Sequence, residues 1–422
     1  MSHRGADDDD RDHFRSARAD LLRVLSLLIA MKRISANITA VFLLFVAAGC
    51  RSSKARASAA SETRSGSWSE LRDSIGTHAL RDDPKLCTDC ITVDTAVVIG
   101  RGSDSGDAYV NGSLRVLRDS RGDYWANQDR NRIKVFDEHG RFVRLVGRPG
   151  KGPMEWAFPW PVASDANGNV HVVDIGNMRE TVIGPDFRRV SEQTLPPMAI
   201  NDVVSVGPGD YFVNAWGTSP ERIAEPLHLV RDGKTVRSFG AHRSGEPLTQ
   251  SSSRRVIAAD GAGHLFSTQY FKFEIEAWTR DGQRIFGLEA PLNSTPVKPG
   301  AYNLDDNPIP NQVHSMLADN SGHLWVLTYR VKPGWRDNVE YRQLNGIKLL
   351  GPTKGHEGES SRFSRIEVVD LERRVIVARI DRPQTSLGVA GPGLLWENRR
   401  DTDGKPEIRI WRLGLRGTKP WP

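Results

Sequence analysis

Few side chains in this sequence stand at spacings that could do chemistry. They are three histidines (His171, His264, His323), four aspartates (Asp119, Asp165, Asp260, Asp319), the pair Cys87 and Cys90, and the glycine-rich run GRPGKG at 147–152. No Ser/His/Asp order for nucleophilic hydrolysis and no HExxH pattern for a zinc protease is present, and GRPGKG lacks the Gly-Lys-Ser/Thr ending that holds phosphate and Mg²⁺. Each aspartate stands three residues before a glycine, the pattern of a turn in which the carboxylate accepts backbone N–H groups. His264 and His323 follow that glycine directly, and His171 falls in a column of aromatic residues, so turn and packing roles are expected for all seven. Asn127, Asp129, Asp174, Asn214 and Asn398 recur a few residues beyond the glycines and could supply the carbonyl and carboxylate oxygens that Ca²⁺ takes. Cys87 and Cys90 run into the β-branched stretch 91–99 rather than the helix a redox-active pair uses, so a structural disulfide is expected.

A repeated unit must position these residues. Residues 119–156 contain a turn and three short alternating strands separated by Gly, Asn and Asp, which is an antiparallel meander. Gly122, Gly168, Gly209, Gly263, Gly322 and Gly393 mark its recurrences, roughly 41 to 71 residues apart, near the spacing of propeller blades with insertions. Two residues after each glycine stand Tyr124, Val170, Tyr211, Leu265, Leu324 and Leu395. One further on stand Trp125, His171, Phe212, Phe266, Trp325 and Trp396. Neighbouring residues of a strand point to opposite faces, so both faces must be packed, as in stacked radial sheets. The expectation is an all-β fold, a six-bladed β-propeller of four-stranded antiparallel blades spanning 91–416, with 417–422 as a tail. The last blade has sequence for three strands after Gly393, so residues 92–99 should pair beside 408–413, supply its fourth strand and close the ring.

The N-terminal region reads differently. Residues 1–30 carry an acidic run at 7–10 and look non-native to the protein, with translation expected from Met31. From there Lys32 and Arg33, the apolar run 38–48 and Ala47-Ala48-Gly49 have the order of an export signal over 31–49, too short to span a membrane comfortably. Residues 47–50 resemble a bacterial lipobox, which implies lipidation of Cys50. Arg51 in the next position, by resemblance to lipoprotein sorting, implies the outer rather than the inner membrane. Residues 50–90 are expected to be a tether ending in the Cys87/Cys90 pair. The 58 Lys and Arg against 52 Asp and Glu leave a net charge of +6, too diffuse for a nucleic-acid footprint; no nucleic-acid partner is expected.

The run Asn131-Arg132-Ile133-Lys134-Val135-Phe136-Asp137 with Gly140, followed by GPMEW at 152–156, resembles the NHL repeat, and Asp174, Asn177 and Arg179 echo it. Together with the N-terminal signal this is similar to bacterial NHL-repeat propeller lipoproteins, which implies the six-bladed fold without a ligand specificity. Met154 and Trp156 stand where that family usually has Gly and Phe. On the face formed by blade connections and second-to-third-strand loops lie Arg130, Trp216, Tyr270, Lys272, Tyr329, Arg330, Trp335 and Arg399, with Trp160 and Arg400. Aromatic and basic side chains together suit stacking on a sugar or peptide and pairing with carboxylates. An insertion at 331–361 is placed to act as a lid. Two functions follow. The first is a monomeric, membrane-tethered binding or scaffold module of the cell envelope, taking a peptide, carbohydrate or protein partner at the channel mouth, preferred because no catalytic constellation stands out. The second, by resemblance to six-bladed lactonases and lyases, is an enzyme with Ca²⁺ in the central channel.

Overall fold

The computed structural model describes residues 76–100, 106, 108–110, 112–128, 131–216, 225–241, 253–292, 311–319, 321–344, 347–353, 361–383, 387–418 and 421. Cys50, Asp129, Arg130 and the expected leader lie outside them.

Six antiparallel sheets form the propeller. In blade one the strands run from the channel outward as Val116–Arg118, Tyr124–Gln128, Arg132–Phe136 and Phe142–Val146. Blades two, three and four repeat this order from inner strands Pro159–Ser164, Ala199–Gly207 and Arg255–Ala259. Blade five begins with Gln312–Ala318 and His323–Val331, then carries the insertion before its third strand, Arg362–Asp370. Within the insertion Val339–Leu344 pairs with Ile347–Pro352 as a hairpin. Blade six consists of Leu387–Gly391, Leu394–Arg400 and Pro406–Leu415, and Ile91–Ile99 completes it, with Val93 opposite Leu413 and Ile99 opposite Ile408.

The turn grammar read from the sequence is realised atom by atom. All six marker glycines have positive φ, from +63° at Gly393 to +100° at Gly122, a region that side-chain-bearing residues avoid. Asp119 Oδ1 accepts from the N–H groups of Arg121 and Asp123 at 3.0 and 2.9 Å, and Asp165, Asp260 and Asp319 repeat the arrangement two and four residues on. The carboxylate also reaches the aromatic column: Trp125 Nε1 donates to Asp119 Oδ2 at 2.9 Å and Trp325 Nε1 to Asp319 Oδ2 at 3.1 Å. His264 and His323 place Nδ1 within 2.8 and 3.2 Å of their turn aspartates.

Both columns after the glycine are buried, and each aromatic packs on the following blade. Trp125 meets Val170, Val172 and Ile183 of blade two, Trp325 meets Leu395 of blade six, and Trp396 meets Tyr124 and Ala126 of blade one, so the apolar core is a ring of interblade seams. Blade two departs from the pattern. There His171 Nδ1 lies 2.7 Å from Glu180 Oε1 and 3.1 Å from the Tyr211 hydroxyl of blade three, and the Tyr211 hydroxyl and Gln193 amide also donate to Glu180. Burial pushes the Glu180 carboxyl up, but the His171, Tyr211 and Gln193 hydrogen bonds outweigh it and hold the group below its ordinary range.

The segment before the closing strand differs from the tether expected over 50–90. Thr77–Ala79 adds in parallel to the outer strand of blade four, and Arg81–Cys87 adds in parallel to that of blade five. Leu80 is buried between them in the core of these blades, and Asp82 and Asp83 pair with Arg379 and Arg373 of blade five. Residues 77–99 therefore belt three blades. Two short strands added to existing edges carry too little alternation to be distinguished from a linker. Cys87 and Cys90 are disulfide-bonded at the turn from belt to closing strand.

Candidate functional site

The inner strands enclose a central channel of about 1190 Å³. They all begin on the face carrying the interblade connections and end at the turns of the marker glycines. At the mouth where they begin, blades four and five bring together five side chains. Arg254, just ahead of the blade-four inner strand, holds its guanidinium 4.4 Å over the Tyr270 ring. His314, on the inner strand of blade five, lies against Tyr329 with ring centroids 4.4 Å apart and planes tilted by 42°, and its Nδ1 is 2.8 Å from the Ser315 hydroxyl. Burial, reinforced by the nearby Arg254 charge, pushes the His314 imidazole down to about 4, so it is neutral at physiological pH. Arg362, at the start of the third strand, lies within electrostatic reach of both Tyr270 and Tyr329, and burial lowers its pKa. The insertion springs from the same place, its base closed by Lys332 N–H donating to the Ser361 carbonyl at 3.0 Å.

Two of the residues singled out from the sequence, Tyr270 and Tyr329, are thus drawn together. Others are used differently. Arg330 is buried against Glu367 Oε2, Thr328 Oγ1 and the Leu292 carbonyl, and Arg399 pairs with Glu407 inside blade six. Trp216 ends the second strand of blade three opposite Ala199. Lys272 sits in the turn after Gln269, its N–H donating to the Gln269 carbonyl. Trp335 opens a short 3₁₀ turn in the insertion, with Arg336 over its ring.

The oxygens offered for Ca²⁺ are spent on the backbone. Asn127 Oδ1 accepts from Leu114 and Arg115 N–H, and Asp174 accepts from Ala157, Phe158 and Gly176 N–H and from the Asn177 amide. Asn214 Oδ1 accepts from Arg255 N–H while its Nδ2 donates to the Pro226 and Ser253 carbonyls, and Asn398 brackets Ser113 through both amide atoms. These side chains fasten the approach to an inner strand. The recurrence at second-strand ends is real, and backbone capping accounts for it, because an unpaired buried N–H is costly. Among the described residues the cluster of potential metal-ligating His, Cys, Asp and Glu groups is Cys87, Asp89 and Cys90, and its thiols are consumed by the disulfide.

Arg254, His314 and Arg362 were not legible as site residues. The recurrent residues of each blade lie from the turn glycine onward, and the inner strand upstream of each glycine carries no marker of its own. Two adjacent arginines before the apolar run 256–259 were the available signal.

A family profile described as "Two component regulator propeller" matches residues 307–330, the inner and second strands of blade five. Among solved structures the fold is similar to a Bacteroides fragilis protein described as exported, 10% identical, covering 81% of this chain and 99% of that one at a TM-score of 0.51. A DUF4221-family protein from Bacteroides vulgatus is 10% identical over 78% of this chain and 98% of its own, TM-score 0.46. Virginiamycin B lyase from Staphylococcus aureus is 13% identical over 76% and 98%, TM-score 0.39. Likeness at these identities bears on the fold alone. No curated protein matches the sequence.

Proposed function

We propose that this chain is an exported, NHL-like propeller, anchored to the outer membrane through a lipidated Cys50, that binds a peptide, carbohydrate or protein partner at the mouth of its central channel. The observation that carries the reading is the convergence of Arg254, Tyr270, His314, Tyr329 and Arg362 at that mouth. A ring face and guanidinium groups side by side, on a wall that differs from blade to blade, are what specific binding on a repetitive scaffold needs. The opposite face supports the same view, since four of its turns repeat one Asx geometry and the other two are short Gly-Pro-Gly turns. Export is supported by the order of residues 31–50 and by the exported description of the Bacteroides fragilis relative in fold.

Peptide and glycan arrays probed with the full-length protein test the binding. Arg254→Ala or Tyr270→Ala should each cut capture of a hit about fivefold to tenfold, since a stacked ring contributes on the order of 1 kcal/mol and a charged hydrogen bond somewhat more. Capture that survives both changes but is lost on replacing His264 and His323 would put the site on the wrong face. Mass spectrometry of the native protein tests the anchor: a diacylated N-terminal peptide beginning at Cys50 is expected, and peptides from residues 1–30 in the mature protein would refute it.

A further inference from the structure

The channel wall opposite that cluster, on blades one to three, carries donors that the cluster does not use. Arg115, one residue ahead of the blade-one inner strand, holds its guanidinium 4.6 Å over the Trp160 ring of blade two and reaches past it to an ion pair with Asp202 of blade three. The pair therefore spans a whole blade. Beside it Trp160 Nε1 and Asn201 Nδ2, buried donors on two channel-lining residues, have no acceptor. Buried N–H groups left unpaired are rare because each costs on the order of 1–3 kcal/mol, so two together at a channel wall suit an acceptor from outside the chain.

The two ends of the ion pair are held unequally. Asp202 Oδ1 accepts from Val203 N–H at 2.9 Å and Oδ2 from Ile257 N–H at 3.5 Å, which ties the carboxylate to blades three and four. Arg115 is a long side chain resting on an aromatic face, a quarter exposed, and it can turn without breaking backbone hydrogen bonds. Asp202 also shows what chemistry Arg115 accepts in this place, a planar monoanionic carboxylate. A phosphate dianion would meet stronger repulsion from Asp202 at the same distance.

We propose that this wall binds a carboxylate of the channel's guest: Arg115 turns from Asp202 to the incoming group, Trp160 Nε1 and Asn201 Nδ2 donate to it, and Asp202 is its internal stand-in. This deepens the channel-mouth reading and rests on it. Arg115 then acts as the specificity-determining residue, and Asp202 as the competitor that sets the affinity.

The test is calorimetric titration of the full-length protein with benzoate, glucuronate and N-acetylphenylalanine, each beside its uncharged amide. At least one acid should bind about tenfold tighter than its amide. Asp202→Asn keeps an oxygen for the Val203 N–H while removing the competing charge, and should tighten the acid severalfold without changing the amide. Arg115→Gln should bring the acid down to the level of the amide. If Arg115→Gln does not fold, as judged by thermal melting, Arg115→Lys serves instead: it keeps the charge, loses the planar fork and should weaken the acid by a smaller factor. Equal binding of acid and amide, insensitive to Arg115, would overturn the carboxylate while leaving binding at the mouth intact. Failure of every acid to bind both wild type and Asp202→Asn would overturn it too, and the arrays would then decide separately whether the mouth binds anything.

Discussion

Asp119→Ala is the sharpest probe of how a blade is held. The Asp119 carboxylate has no exposed side-chain surface, and it accepts from two turn N–H groups, from Trp125 Nε1 at 2.9 Å and from Arg121 Nη2 at 3.1 Å. Removing it strands the Trp125 indole N–H, because Trp125 is wholly buried in the seam between blades one and two. An orphaned buried donor costs about 1–3 kcal/mol, and the two turn N–H groups, close to solvent, add about 0.5–1 kcal/mol each. A loss of roughly 3 kcal/mol is expected, read as a fall in urea midpoint followed by tryptophan fluorescence. Trp125→Phe removes the donor but keeps most of the ring. In that background Asp119→Ala should cost about 1–2 kcal/mol less, and this difference isolates the indole bond. Strict additivity, or a single-variant loss below about 0.5 kcal/mol, would refute the claim that the aspartate joins turn to seam.

Asn398→Ala removes both amide bonds from blade six to Ser113, at 2.9 and 2.7 Å, and should cost about 2–3 kcal/mol; hydrogen exchange should quicken at residues 112–118, and unchanged protection there would show that closure does not depend on this amide. His314 has its folded pKa lowered to about 4 from an ordinary 6.5. Its contribution to stability is therefore complete above about pH 6.5 and is lost as pH falls toward 4, by at most about 3 kcal/mol. His314→Phe should flatten the melting temperature over that interval, and a profile as steep as wild type would show that another group governs it.

What the sequence determined by itself was everything carried by neighbours along the chain. An aspartate, a glycine three residues on and an aromatic three further make a turn and a strand with two buried faces wherever they occur, because backbone φ, Asx hydrogen bonding and strand alternation act over a handful of residues. Four such aspartate turns, two Gly-Pro-Gly turns (207–209 and 391–393) in the same register and a last blade one strand short were enough for the propeller and for the pairing of Ile91–Ile99 with Pro406–Leu415. The belt has no signature in the sequence because parallel pairing of Thr77–Ala79 and Arg81–Cys87 with strands some 210 and 290 residues away leaves no local period. The amide and carboxylate side chains at second-strand ends recur in the sequence, and only the fold shows that backbone N–H groups claim their oxygens. The channel mouth was decided by ring closure alone. Arg115 and Asp202 are 87 residues apart, and Arg254, Tyr270, His314 and Arg362 come from two blades. Their meeting depends on the rotation between blades, which is set by the packed seams and which no single repeat contains.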